Sequence, residues 1–433
     1  MDLSVVIPAW NEADNLVKLL PQLHAVLSQL GCTYEIIVVD NHSADATEEV
    51  CKVAGAVLLQ QTEPGYGGAL WAGFRRASGE YILTMDADLS HAPDFIPTLW
   101  NEREHADVVI ASRYVKGGST DMPWYRYVLS IILNRIYTRV LSLPVKDISS
   151  GFRLYRASIL RDLDLKSSDF DALEEILIEC YGQGYQIIEM PMRYLPRDQG
   201  KSKVKLLRFG IAYLKTLFRM WKWRNSVASA DYDARAFDSM ILLQRYWQRR
   251  RYQIVLGMLD RSKQCLDIGC GSSRILSGLS ADSIGLDIKM NKLRYARRYQ
   301  RPLVNASAFA LPFRDGVFDQ VLCSQVIEHL EASEQPFREM SRVLKIGGRL
   351  VLGTPDYGGR VWPILERLYK VFAPGAYADE HITRYAKDGL IQSMAIYGFQ
   401  LERAEYIMGS EMILLFIKKE FRSSAFETVR VRA

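Results

Sequence analysis

Short apolar blocks alternate with stretches of helical periodicity along most of the chain. An apolar run at 3–7, helical spacing from Glu12 to about Leu30 and a second apolar run at 35–39 describe a βαβ unit with a parallel sheet. Further strands are expected at 56–59, 81–85 and 107–111, with helices near 43–54, 68–77 and 93–104. The alternation breaks at Lys116-Gly117-Gly118, where a longer insertion is expected. The same grammar restarts at KQCLDIGCG (263–271) and continues through strands at 283–286 and 317–323 to GRLVLGTP (348–355). Near 390–415 a helix followed by two apolar strands predicts an antiparallel end to a mostly parallel sheet.

Two runs of one grammar predict two α/β domains, and the length of 433 residues agrees with that. SVASADYDARAFD (226–238) is small and polar, which puts the joint near 226–230. The expected division is 1–225, a linker and lead-in helix at 226–245, and 246–433. Forty-eight percent hydrophobic and 24% charged residues exclude a disordered or coiled-coil chain. The six cysteines show neither zinc spacing nor a disulfide framework, which suits a reducing cytosolic setting. MDLSVVIPAW enters a strand at once, so no signal peptide is expected, and no uncharged apolar run of spanning length occurs.

Net charge is only +5, but 200–225 is rich in basic residues and contains no acidic one. Within it, 204–224 sets Leu, Phe and Trp among Lys and Arg, a pattern that fits adsorption to an anionic membrane surface. MPWYRYVLSIILNRIYTRVLSLPV (122–145) has similar spacing, with Arg126, Arg135 and Arg139 placed for headgroups. Packing against the second domain is the competing explanation. Nucleic acid is not expected as a partner, because no reading motif accompanies the charge.

The candidate chemistry of the first half centres on ILTMDADLSHAPDFI (82–96), an apolar strand running into Asp86-Ala87-Asp88. Carboxylates two apart at a strand end supply the oxygen ligands a hard divalent cation needs. Such a cation neutralises a pyrophosphate leaving group. IIVVDNHSADAT (36–47) ends another strand in Asp40, at the edge where ligands of open α/β sheets bind. Capping of the next helix is assigned to Asn41 or Ser43, which leaves Asp40 to meet a base or ribose.

VVIPAWNE, VVDNHSADAT, EPGYGGALWAG and MDADLSHAP, in that order, resemble the large inverting family 2 of glycosyltransferases with the GT-A-like nucleotide-diphospho-sugar transferase fold, over residues 3–205. RYVLSIILNR, DISSGFRLYR and RYLPRDQGKSK (193–203) narrow the resemblance to the dolichyl- and polyprenyl-phosphate glycosyltransferases. The resemblance implies a nucleotide sugar donor, Mg²⁺ or Mn²⁺, and a polyprenyl phosphate or other glycolipid acceptor. It implies that Pro8, Asn11, Glu12 and Asp40 line base and ribose, and that Asp86 and Asp88 address metal and pyrophosphate. Arg153 and Arg156 lie three apart at a strand-to-helix turn, with Arg197 and Lys203 later. Arg126 and Arg153 are the expected phosphate ligands, because a guanidinium binds phosphate bidentately. A phosphate acceptor is already ionised and needs no general base. A hydroxyl acceptor would need one, and Glu174 or Glu175 is the candidate, against a solvated helix face as the plain alternative. The chain departs from the family pattern at Asp40-Asn41-His42, where two acids and a glycine are usual, and at Ser90, where glutamine is common. The donor sugar is left between mannose and glucose.

In the second half, QCLDIGCGSSRIL (264–276) reads as strand, glycine turn and helix start. Its spacing differs from the dinucleotide fingerprint, and Asp267 would repel pyrophosphate but accept a bond from an ammonium group. Asp287 ends the next strand, in place for a ribose diol or for helix capping. With AFALPFRDGVFDQVLCSQVIEHL, MSRVLKIGGRLVLGTP and HITRYAKDGLIQSMAIYGF, these segments resemble small-molecule class I methyltransferases with a Rossmann-like fold, over about 246–415. That implies S-adenosylmethionine, with Gly269 and Gly271 under its methionine part, Asp287 on ribose, and Ala308 and Phe309 near adenine. Ser307 stands where Asp is frequent and Ser273 where a third glycine is frequent. His329 and His381 are candidate bases for a hydroxyl acceptor. The Glu328-His329 pair lacks a second histidine in register, so no metal is expected in this half.

A bifunctional transferase is therefore expected, cytoplasmic and peripheral on the inner face of the membrane. The alternatives are a glycosyltransferase for glycan or glycolipid hydroxyls with sugar O-methylation, or one active domain fused to a degraded binding or docking module.

Overall fold

The computed structural model describes residues 1–161, 163, 165–196, 206–372 and 381–420. The chain divides into two compact units, Met1–Arg224 and Asn225–Ala433.

In the first unit the strands are β1 (Leu3–Ala9), β2 (Tyr34–Asp40), β3 (Val57–Gln60), β4 (Tyr81–Thr84), β5 (Val108–Ser112), β6 (Ser119–Thr120), β7 (Arg153–Arg156), β8 (Ile187–Pro191) and β9 (Arg193–Tyr194). Seven of them form one sheet in the order β3-β2-β1-β4-β7-β5-β8, with β7 antiparallel to both neighbours and the other pairs parallel; β6 and β9 form a separate parallel pair. Because β1, β2 and β4 are buried over most of their length, they read in the sequence as continuous apolar runs. Leu3, Val5 and Ile7 of β1 share a core with Leu16, Leu19, Leu20 and Leu23 of the helix Ala13–Leu27. The chain turns outward in opposite senses from β1, so the crevice between β1 and β4 is a topological switch point. Pairing of Ala9 with Asp40 and of Val6 with Thr84 brings the ends of β1, β2 and β4 to one sheet edge.

The expected helix at 43–54 begins four residues later, at Thr47. Residues 40–46 are held as a turn instead. Asp45 takes the capping role assigned to Asn41 or Ser43: its carboxylate accepts from the Thr47 backbone N–H at 3.2 Å, from its hydroxyl at 2.6 Å, and from the Ala13 N–H at 3.0 Å.

The second unit has β10 (Cys265–Ile268), β11 (Ile284–Asp287), β12 (Leu303–Asn305), β13 (Phe318–Ser324), β14 (Leu344–Pro355), β15 (Phe399–Ile407) and β16 (Glu411–Lys418), in the order β12-β11-β10-β13-β14-β16-β15. β10 to β14 are parallel, and β16 enters antiparallel between β14 and β15. A second switch point lies between β10 and β13. Within the stretch expected as linker and lead-in helix, helices occupy Tyr232–Phe237 and Leu242–Met258, and both belong to this unit. The helix expected after the glycine turn is only a 3-10 segment, Arg274–Gly278, capped by Ser273, whose hydroxyl accepts from the Ile275 N–H at 3.3 Å. All six cysteines are free thiols.

Candidate functional site

In the first unit, Thr84 ends β4, and the Met85 N–H still donates to Val6 before the chain leaves the ladder at Asp86. The Asp86 carboxylate is partly exposed and accepts from the Tyr66 hydroxyl at 3.0 Å. Tyr66 is fixed by stacking on Phe170, 4.7 Å between centroids, and follows Gly65, whose φ of +87° makes the turn into the helix Gly65–Arg76. The Asp86 backbone N–H donates to His91 Nδ1 at 3.0 Å, which puts the ring proton on Nε2, 3.9 Å from Asp86 Oδ2. His91 is buried and stacked on Phe152 at 5.0 Å, and burial lowers its pKa, so the ring stays neutral. Asp88 is buried, and one carboxylate oxygen accepts from the Ser90 N–H and hydroxyl. Ser90, flagged as a departure from the family pattern, thus orients the second acid. Two hard carboxylates at the sheet edge fit Mg²⁺ or Mn²⁺. Sequence patterning singles out neither Tyr66, which reaches Asp86 from twenty residues upstream, nor His91, which lies five residues beyond Asp86 in the same loop.

The other expected residues divide. Pro8 lies in β1 beside Val39. Asn11, at φ +53°, donates from its backbone to Ser43 Oγ at 2.7 Å and accepts from the Ala44 N–H at 2.7 Å. The Glu12 carboxylate accepts from Asn15 Nδ2 at 2.6 Å beside the helix start. Asp40 is buried and accepts from the Ser43 N–H and hydroxyl and from Gln60 Nε2. It shapes the loop that meets Asn11.

Arg153, expected as a phosphate ligand, lies in the interior. Its guanidinium is fully buried and donates to Leu173 O at 2.7 Å, Ile148 O at 2.5 Å and the Tyr155 hydroxyl at 3.2 Å, which ties β7 to the helix Ala172–Gly182. A phosphate ligand cannot reach it. Another arginine, Arg113, pairs with buried Asp147 through Nε at 2.8 Å and Nη2 at 2.6 Å. Burial alone would raise the Asp147 pKa, but the Arg113 charge and hydrogen bonds hold it below the usual range. Arg126 is exposed on the helix Trp124–Val140. Arg197 and Lys203 lie outside the described residues.

Glu174 and Glu175 are both buried, which overturns the solvated helix face. Glu175 pairs with Arg219 at 2.7 Å and accepts from the Ser167 N–H at 2.6 Å. The Glu174 carboxyl has no hydrogen-bond partner, and burial pushes its pKa up to about 8.

The second unit holds a cavity of about 630 Å³ at its switch point. Gly269 opens it at φ +68°, and a Cβ there would lie 2.2 Å from a Val326 methyl. Asp287 accepts from the Gly271 N–H at 2.9 Å and the Lys289 N–H at 2.8 Å, so it holds the glycine turn while lining the cavity. A carboxylate retains lone pairs for a diol beyond those two bonds. Burial, and next the Asp287 charge, push the Asp267 pKa up to about 8. An ammonium group beside it would restore the charged form. Ala308 and Phe309 line the same cavity, and the Phe309 N–H donates to Ser307 Oγ at 3.2 Å, so Ser307 shapes this turn. Tyr232, Asp233 and Gln244, from the stretch expected to be a linker, also line it. Asp233 receives the Ser272 hydroxyl at 3.0 Å and Lys292 Nζ at 3.3 Å. The donor set fits S-adenosylmethionine. His329 and His381 lie together on the wall, their rings 5.0 Å apart.

These two sites define a two-domain transferase, a glycosyltransferase domain followed by a methyltransferase domain. A family model described as glycosyl transferase family 2 matches residues 4–164, and one described as methyltransferase domain matches 266–352. Polyprenol monophosphomannose synthase of Mycolicibacterium smegmatis is 31% identical over 234 residues, 51% of this chain and 85% of the relative. Undecaprenyl-phosphate mannosyltransferase of Micrococcus luteus is 33% identical over 218 residues, 47% of this chain and 88% of the relative. Dolichol-phosphate mannosyltransferase of Pyrococcus furiosus is 35% identical over 241 residues, 52% of this chain, and the match spans just under two thirds of that relative, 66%. Through its first unit the chain belongs to glycosyl transferase family 2, with relatives that are polyprenol-phosphate mannosyltransferases. Among solved structures, glucosyl-3-phosphoglycerate synthase from Mycobacterium tuberculosis aligns with TM-score 0.41 and 20% identity, covering 52% of this chain and 79% of that one. A SAM-dependent methyltransferase from Thermotoga maritima, a possible histamine N-methyltransferase, aligns with TM-score 0.35 and 20% identity, covering 42% and 98%.

Proposed function

We propose that the first unit transfers a sugar, mannose or glucose, from a nucleotide diphosphate donor to a polyprenyl phosphate, and that the second methylates a related small molecule or glycan with S-adenosylmethionine. The observation that carries the first half is the pair Asp86 and Asp88 at the switch-point edge, each carboxylate held by its own neighbours. Bound there, Mg²⁺ or Mn²⁺ would supply charge neutralisation to the leaving diphosphate. Tyr66 and Ser90 orient the two acids, and neutral His91 braces the turn without adding charge. Arg126 is the cation retained for the acceptor phosphate.

The state of Glu174 and Glu175 favours a phosphate acceptor over a hydroxyl. One is buried without a hydrogen-bond partner and the other is engaged by Arg219 and backbone N–H groups, so neither is placed as a general base. An ionised phosphate needs none.

A lipid acceptor also accounts for two helices, Trp124–Val140 and Leu206–Arg224. The Tyr137 hydroxyl donates to Tyr213 O at 2.5 Å, which joins them. Trp124 (78% exposed), Leu129, Ile132 and Ile136 on one, and Leu214 (68%) and Phe218 (67%) on the other, lie open beside basic residues. No helix among the described residues is long and apolar enough to cross a membrane. The reading is peripheral attachment at the cytoplasmic face, with apolar side chains in the lipid boundary and Arg and Lys at headgroups.

The test is mass spectrometry of products from the purified protein with membrane lipid extract, Mg²⁺, mixed nucleotide sugars and methyl-labelled S-adenosylmethionine. A chloroform-soluble hexosyl phosphate is the expected product, and label within its hexose would join the two reactions. A water-soluble glycan, with transfer lost in Glu174→Gln or Glu175→Gln, would overturn the lipid-phosphate reading in favour of a hydroxyl acceptor.

A further inference from the structure

His329 and His381 line the cavity of the second unit, and with Glu328 they form a cluster that methyl transfer alone does not require. After β13, the 3-10 turn Ile327–His329 presents Glu328 and His329, and the Glu328 carbonyl accepts from the Ile382 N–H at 2.8 Å and the Thr383 N–H at 3.0 Å. The Thr383 hydroxyl donates to Leu330 O at 2.6 Å. This clamp brings His381 to the turn. One ligand atom from each of Glu328, His329 and His381 then lies within 4.8 Å of the others.

Two further observations point to a cation. Glu328 is fully buried, and among the described residues its carboxylate oxygens have no hydrogen-bond partner of normal geometry, with the Thr354 hydroxyl standing beside them. A buried carboxyl stays protonated unless a positive charge set beside it restores the charged form, so a cation is one of the two ways this group can be neutralised. The nearby cation Arg251 is already committed to Glu411, at 2.6 and 2.7 Å. His381 Nδ1 meets the Tyr357 hydroxyl at 2.9 Å, and its ring stacks on Trp362, 5.8 Å between centroids. A hydrogen bond to the far nitrogen is the contact that orients a ligand histidine.

We propose that Glu328, His329 and His381 hold a divalent transition-metal cation of the Zn²⁺, Fe²⁺ or Mn²⁺ class on the acceptor side of the methyl-donor cavity. Two imidazoles and one carboxylate suit these ions better than Mg²⁺ or Ca²⁺, and three protein ligands leave coordination positions open. The acceptor class is a hydroxylated molecule such as a sugar, whose oxygen enters an open position and is acidified there. The chemistry rests on the methyl-transfer reading, whereas the binding of metal does not.

The test uses the full chain carrying Asp86→Asn and Asp88→Asn, stripped with chelator and titrated with Co²⁺ alone. One equivalent of Co²⁺ is expected to develop visible d–d absorption, which Zn²⁺ bleaches. His381→Ala should abolish the absorption with the near-ultraviolet circular dichroism retained, Glu328→Gln should do the same, and Tyr357→Phe should weaken Co²⁺ binding by roughly 10- to 100-fold. Absence of the absorption, or its persistence in the His381→Ala protein, would overturn the proposal. S-Adenosylmethionine binding to the parent is measured separately by calorimetry. Its failure beside an intact Co²⁺ spectrum would count against the methyl-transfer reading and leave the metal site supported.

Discussion

Arg153 and Glu174 meet in the interior of the first unit, and their opposite states set two expectations. Arg153 has its Nη donors satisfied by Leu173 O, Ile148 O and the Tyr155 hydroxyl. Arg153→Met should strand those acceptors and cost roughly 3 kcal/mol of stability. Chemical denaturation should reveal that loss, and normal stability with a raised KM for donor or acceptor would return Arg153 to the phosphate site. Glu174 is held protonated by burial, with its pKa raised from 4.5 to about 8. Between those values the folded chain keeps a proton that the unfolded chain has released. Stability from this group is therefore full below about pH 4.5 and is lost as pH rises through about 8. Glu174→Gln is neutral throughout, so its melting temperature should exceed the parent's near pH 8 and match it near pH 5. An equal decrease at both pH values would contradict the assignment.

At the scale of elements, the helices Trp124–Val140 and Leu206–Arg224 leave apolar side chains in the open where a core helix would bury them. Such patches mark interaction surfaces. Leu129→Glu combined with Phe218→Glu should weaken sedimentation with anionic vesicles and raise KM for a long-chain polyprenyl phosphate, with the thermal midpoint unchanged. Unaltered vesicle binding would point to a protein occupant for this face. The loops at the carboxyl edge behave differently. Residues 40–46 are tied together by contacts among Asp40, Ser43, Asp45 and Asn11.

At the scale of the molecule, each unit has its own sheet, switch point and site. Gly269→Val should block S-adenosylmethionine binding, because a side chain there meets Val326 and the backbone is at φ +68°. It should leave sugar transfer intact, while Asp86→Asn should lower sugar transfer by roughly 100-fold or more without changing S-adenosylmethionine affinity. Calorimetry and product assays on both variants check this, and a loss of both functions in either one would show that the sites depend on each other.

The fold class and the placement of the candidate carboxylates at or beside strand ends were legible because they rest on local chemistry. Apolar runs of strand length, glycine at the 269 turn and carboxylates at strand ends follow from backbone sterics and the parallel-sheet pattern. The roles of individual polar groups were not, because burial and partners are set by residues distant in sequence. Asp40 is committed through Ser43 and Gln60, Arg153 through Ile148 and Leu173, and a stretch that reads as polar linker supplies Asp233 to the second cavity. The Glu328-His329 pair gains its companion only where backbone hydrogen bonds from Ile382 and Thr383 bring His381 across the fold. Sequence alone determined which chemistries each half carries; tertiary structure decided which side chains are spent on holding the fold and which are presented to a ligand, because desolvation and hydrogen-bond geometry depend on neighbours the chain supplies from far away.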